Sequence, residues 1–264
     1  MAQSGKAPYF FALVLVLAVL GVYVPGLNNE LLFDDIRLTE GSIFSGYGSL
    51  LDLKARMVSY GSFVWVDQIA GAGWWKQRIV NIALHLGVVA AMYAFFKALM
   101  ASTRFPQDME DQAHFASSQR AALRVGVALF ALHPVAVYAV GYLIQRSILM
   151  ATLFAVLACW AFVRGLQTQR VAWYAGALLS YLLAVLSKEN GALFPLLLAA
   201  VLVCVQATSQ QTWWAAPRSR AFAILVAAVP LAVIDWDRPE TVCRQIQSFN
   251  PDAIVHLAGY ASAG

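Results

Sequence analysis

Charge is what this sequence has least of. Only 12% of its 264 residues are Asp, Glu, Lys or Arg, where a soluble globular chain carries about 25%. So few charges cannot cover a water-facing surface, and a soluble domain is excluded. Cysteine is scarce too: Cys159, Cys204 and Cys243 stand far apart with no CxxC spacing, which excludes a disulfide framework and a zinc site. The formal net charge is +4, but the basic residues are scattered between apolar runs. Nucleic-acid binding needs them gathered in a patch, and none is expected. No small-x-small cleavage site follows the apolar run Phe10–Val24; the chain continues VPGLNNE. That run therefore reads as a retained first membrane helix rather than a secretory signal.

What remains is apolar, 61% of the chain. A spanning helix needs about 20 largely apolar residues. Candidate runs are Tyr9–Val24, Ile79–Met100, Ala121 to about His133, Ile148–Phe162, Val171–Leu186, Ala192–Ala207 and Ala221–Ile234. The expected fold is an all-α polytopic membrane protein of about seven transmembrane helices, with a large external first loop, Pro25 to Arg78, and a short α/β-like C-terminal fragment. With the N-terminus in the cytoplasm, Lys6, Lys97, Arg104, Arg120, Arg124, Arg164, Arg170, Arg218 and Arg220 fall on the inner side, as the positive-inside rule requires.

That topology sends the remaining polar residues to one leaflet. Asp34 and Asp35 lie in the first external loop, and Lys188 and Glu189 in a later external turn. Arg78, Asn81 and His85 recur at spacings of three and four, so they form one stripe descending about 10 Å into the second span. Asn81 and His85 either bond neighbouring helices or wall a site. In "LHPVAVYAVGYLIQRS", His133 precedes a helix that Pro134 would open. Tyr138, Tyr142 and Gln145 then share a face, with Arg146 beside them. The expectation is a short span, an interfacial helix of about three turns and a return span.

Any one of these charges reads as an ordinary loop charge, but together in apolar surroundings they are costly and point to a site. Asp34-Asp35 is open to three readings: a divalent-metal site, a general base, or a solvated pair. Cations suit a phosphate, carboxylates suit a base acting on a hydroxyl, and a lipid-embedded site suits a lipid-linked substrate. A transporter or a non-enzymatic membrane component fits nearly as well.

The segments "NNELLFDD", "RMVSYGSFVW" with "RIVNIALHL", "ALHPVAVYAVGYLIQRSILMATLF" and "LSKENGALFPLLL" occur in that order. Together, over about Phe10 to Leu202, they resemble the N-terminal membrane half of the GT-C-type glycosyltransferases. The nearest branch is the bacterial pilin or protein O-glycosylating enzymes, with the related TPR-containing O-mannosyltransferases of animals. The resemblance implies sugar transfer from a polyprenyl-phosphate carrier to a protein or glycan acceptor at the external face of a bacterial inner membrane. It implies a catalytic base at Asp34 or Asp35, leaving the second aspartate to orient it or to bind a divalent metal. It also implies contacts to the carrier phosphate from Arg146 and Lys188, with Arg78 and His133 as further contributors. Asn81, His85, Tyr138, Gln145 and Glu189 would line the site. Such enzymes usually have more spans and often a soluble C-terminal domain, so the chain is expected to be incomplete.

Two units are therefore expected, a GT-C-like transmembrane region over 1–234 and a tail over 235–264. In the tail, "DRPETVCRQIQSF" has a helical pattern and "AIVHLAGY" reads as a buried strand. It resembles a fragment of an NAD-dependent epimerase or short-chain dehydrogenase. Neither the Gly-rich phosphate loop nor a Tyr-x-x-x-Lys pair is present in it, so NAD is not expected to bind. The tail is read as foreign or truncated, an inactive fusion being the alternative.

Overall fold

The computed structural model describes residues 7–49, 54–102, 112–208 and 217–233. The tail expected over 235–264, with Cys243, lies outside the described residues, as does part of the connection 101–120. Among the described residues the chain is helical and contains no strand.

The helices are α1 (Ala7–Tyr23), α2 (Ser42–Gly46), α3 (Met57–Ala70), α4 (Trp74–Ser102), α5 (Gln112–Ala131), α6 (Ala136–Gly141), α7 (Arg146–Thr168), α8 (Val171–Ser187), α9 (Phe194–Thr208) and α10 (Pro217–Val233). Their ends follow local chemistry. Pro25 lacks the N–H that would continue α1, and the chain there tightens into a 3-10 turn, Val24–Gly26. Gly71 closes α3 at φ 76 and ψ 166, a positive-φ extended backbone that glycine adopts without strain.

Four stretches are long and apolar enough to cross a bilayer: Tyr9–Gly26, Trp74–Ser102, Arg146–Thr168 and Glu189–Gln206. α8 is apolar but has 17 residues, and α5 carries Arg120, Arg124, Ser117 and Ser118. On α1, Phe10, Leu13 and Leu17 are exposed, as are Leu196 and Val203 on α9. Apolar side chains turned outward along whole helices suit lipid rather than water.

α4 and α7 form the spine, with α8 packed on α7. Phe162 of α7, Tyr174 of α8 and Phe222 of α10 meet in one aromatic core. Gly165 lets α8 approach: a Cβ there would lie 3.0 Å from the Tyr174 ring, the small-residue contact by which membrane helices close-pack. Leu15 and Val19 of α1 meet Ile82 of α4 and Val127 of α5 in a second core. A third joins the first loop to the α6–α7 corner through Leu38, Ile43, Phe63, Leu143 and Ile144.

The first loop contains α3, a 14-residue helix buried along Met57–Val64. It packs against α4, α7 and α8, with Ser59 donating to the Ser187 carbonyl of α8 and Ser62 accepting from Arg146 of α7. One expectation, the length of the interfacial helix, needs correction. The interfacial helix of about three turns is the six-residue α6. It stops because Tyr142 is extended at ψ 123 and the carbonyls of Val140 and Tyr142 are taken by the Asn81 amide.

Candidate functional site

Contacts across the bundle gather the end of α1, the starts of α3, α4 and α7, and the ends of α5 and α8 at one pole. Tyr23 of α1 meets His85 of α4 at 5.6 Å between ring centroids. The His85 Nε2 lies 2.9 Å from the Ala131 carbonyl at the end of α5. Ser59 of α3 donates to the Ser187 carbonyl at the end of α8, 2.7 Å. Every residue singled out from the sequence is at this pole, but in differing states.

The two aspartates part company. Asp34 is exposed, its carboxylate 4.0 Å from an equally exposed Arg37. Asp35 is 2% exposed; its two oxygens accept the backbone N–H groups of Leu143 (3.0 Å) and Ile144 (2.9 Å). Burial raises its pKa above the ordinary carboxylate range, against the pull of those N–H groups and of Arg78. A 3-10 turn over Phe33–Leu38 separates the two directions. Phe33 enters it at φ 50, with its ring 5.9 Å from that of Tyr142. A left-handed non-glycine residue costs on the order of 1–3 kcal/mol, so the docked loop holds Phe33 against that cost.

Arg78 donates to the carbonyls of Leu27 and Glu30, both 3.1 Å, clamping the start of the first loop. Its side chain also borders a cleft of about 160 Å³ with Tyr23, Asn29, Ile82 and Gly141. Asn81 and His85 do not line an open wall: both are buried and spend their polar atoms between helices, the cheaper fate for an amide in an apolar bundle. His133 is exposed, its Nδ1 accepting the Val135 N–H at 3.2 Å. Gln145 donates to the Tyr138 hydroxyl at 2.9 Å, and the Tyr138 and Tyr142 rings lie 5.7 Å apart. Those side chains meet as the sequence spacing implies, across a broken helix rather than along one.

Arg146 does not face outward. It is 0% exposed and enclosed by α3, α4 and α7. Its Nε donates to Asn81 Oδ1 (2.8 Å), Nη1 to Ser62 Oγ (3.2 Å) and Nη2 to the Gln77 carbonyl (2.7 Å). The Phe63 ring lies 3.9 Å from the guanidinium carbon. As the first residue of α7, it points to α4 rather than to the surface, and has no face left for a lipid phosphate.

The corner between α3 and α8 contains a residue that the sequence pattern does not single out. Arg56, at φ 60, donates from Nε to both oxygens of Glu189 (2.8 and 3.1 Å) and from Nη1 to the Tyr60 hydroxyl (2.6 Å). The Glu189 carboxylate and the Tyr60 phenol raise the pKa of Arg56 against the cost of burial. Lys188 is half-buried; burial and Arg56 lower its pKa, and Glu189 opposes them. The one signal for Arg56 is its place at the head of "RMVSYGSFVW", a cation before a helix inside the first loop.

The donor set does not make a metal site. Asp35 is occupied by backbone, and among the described residues no three His, Cys, Asp or Glu side chains converge. The chain matches no protein-family model, no curated protein and no solved structure.

Proposed function

We propose that this chain is the N-terminal membrane part of a glycosyltransferase that moves a sugar from a polyprenyl-phosphate carrier to a protein or glycan acceptor on the outer face. The proposed topology has seven spans in a bacterial inner membrane, with the N-terminus in the cytoplasm and the polar pole outside. The observation carrying this reading is the separation of Asp34 from Asp35. One carboxylate is bound to the backbone; its neighbour stands exposed at the pole of an apolar bundle, the pole where Arg78 borders a cleft.

In this reading Asp34 takes the proton of an acceptor hydroxyl. The acceptor oxygen bonds to the anomeric carbon as the bond to the carrier phosphate breaks, and that electron pair leaves on the phosphate. Arg78 at the cleft and Lys188 supply positive charge for the leaving group; His133 is exposed at the same pole. Asp35 and Arg146 act by positioning, the first holding the loop and the second holding α3, α4 and α7.

The test is sugar transfer from a lipid-linked donor by membranes carrying the full-length protein. Asp34→Asn is expected to lower the rate by about 100-fold or more with unchanged membrane insertion. Transfer retained at the wild-type rate would remove Asp34 as the base.

A further inference from the structure

We infer that the corner formed by Arg56, Lys188, Tyr47 and Tyr60 binds a phosphate ester, and that Glu189 is an exchangeable placeholder which gives up Arg56 to it. The inference deepens the reading above only in taking that ester to be the carrier's.

The cluster is unbalanced. Arg56 and Lys188 lie together against one carboxylate, Glu189, among the described residues. Glu189 gives both its oxygens to Arg56. Lys54 is turned aside: its ammonium donates to the Gly46 carbonyl and lies 4.6 Å from the Tyr47 ring centroid. Lys188 is left half-buried, repelled by Arg56 and making no hydrogen bond through its ammonium among the described residues. A partly desolvated cation beside another cation is a costly arrangement, and an incoming dianion relieves it.

The surroundings suit that ligand. Arg56 and Glu189 retain 28% and 26% of their side-chain exposure, so the pair can be reached from outside. A phosphate oxygen resembles a carboxylate oxygen to a guanidinium, which binds either in the same forked manner. Tyr60 receives its bond from Arg56, leaving its own hydroxyl proton free to donate. The backbone also holds Arg56 in place for exchange. Its left-handed φ is a strained conformation of the kind that collects at ligand clamps. Ser59 pins the adjacent turn to Ser187, so the guanidinium stays near Lys188 when Glu189 leaves.

The sign of one substitution separates this role from a structural ion pair. Equilibrium binding would be measured for the full-length protein in neutral-lipid nanodiscs. The probes are a radiolabelled short-chain polyprenyl phosphate, inorganic phosphate, and the polyprenol without phosphate. Arg56→Gln and Lys188→Gln should each weaken phosphate binding about tenfold or more, since each removes a hydrogen bond to a charged group. Glu189→Gln should tighten it several-fold, because a competitor is removed. Glu189→Gln that weakens binding or leaves it unchanged overturns the inference, as does wild-type protein that binds neither phosphate probe or binds polyprenol equally well. Arg56→Lys, with thermal unfolding measured beside it, guards against misfolding: it should bind more tightly than Arg56→Gln, and equal affinity overturns the forked contact. Tight binding of the polyprenyl phosphate alone identifies a lipid source, whereas equal binding of inorganic phosphate identifies a soluble one. Binding that follows these signs without sugar transfer leaves the site standing and removes the glycosyltransferase reading. Transfer with the wrong sign for Glu189→Gln removes the site alone.

Discussion

Arg146 and Arg56 both touch α3, yet the protein treats their charges in opposite ways. Arg146 is enclosed by neutral acceptors and an aromatic face, with no carboxylate among its partners. Arg56 shares one carboxylate, Glu189, with Lys188 at a corner that solvent reaches. The first arrangement spends every contact on holding three helices together and leaves nothing for a ligand. The second keeps a strained backbone, a replaceable partner and surplus charge. The sequence presents Arg146 in apolar surroundings and Arg56 in a polar loop two residues after Lys54, and only the folded neighbours distinguish a brace from a site.

The sharpest way to break that contrast is to remove each cation and compare stability. Arg146→Met should cost about 3–5 kcal/mol, as the vacated space and the orphaned acceptors Asn81 Oδ1 and the Gln77 carbonyl add together. Arg146→Lys should recover only part of it, because a point charge cannot serve three divergent acceptors. Arg56→Met should cost at most about 1 kcal/mol, the usual range for a pair still in contact with water. Thermal unfolding in one detergent would rank the three, and an equal loss at Arg56 would make the corner as structural as the cage.

A backbone change probes the corner without altering any charge. Gly191 sits where the 3-10 turn Glu189–Leu193 folds back on α8; a Cβ there would lie 2.7 Å from the Val185 nitrogen and 2.8 Å from the Ala184 carbonyl. These neighbours are main chain and cannot rotate away. Gly191→Ala should therefore cost about 1–3 kcal/mol, the penalty of overpacking, and push Glu189 off Arg56. With its competitor displaced, phosphate binding should tighten as it does for Glu189→Gln, and unchanged or weaker binding would show that Glu189 does not compete for Arg56.

Helix placement is largely legible in the apolar pattern alone. The run Val171–Leu186 corresponds to the helix Val171–Ser187, and Ala221–Ile234 to Pro217–Val233, because long apolar stretches with basic ends leave few alternatives. α3 is not legible, since Ser59, Gly61 and Ser62 interrupt its buried apolar residues Met57, Val58, Tyr60, Phe63 and Val64 and read as loop residues until neighbouring helices close over them. Arg146 is legible in position and not in direction. The pattern puts it at the polar pole, where α7 begins, but Asn81 and Ser62 decide which way its side chain faces. Arg56 escapes the pattern for the converse reason. Its partner Glu189 is 133 positions away, and nothing local marks the pair.

The aspartates give the smallest test of the same idea, one carboxylate bracing the fold and its neighbour standing apart from it. Asp35→Asn keeps one acceptor oxygen but turns an amide N–H₂ toward the Leu143 or Ile144 N–H, leaving a buried donor unpaired at a cost of about 1–2 kcal/mol. Asp34→Asn, on an exposed side chain, should change stability by less than about 0.5 kcal/mol. Acidity supplies a second readout. Burial raises the Asp35 pKa, so between its ordinary value and the raised one the folded chain binds more proton than the unfolded chain. Stability must then fall as pH climbs through that window. Asp35→Asn should flatten the slope there, and Asp34→Asn should leave it in place. Equal slopes in wild type and Asp35→Asn would mean that the Leu143 and Ile144 N–H groups offset burial completely, and that Asp35 is held as a plain carboxylate by the loop it fastens.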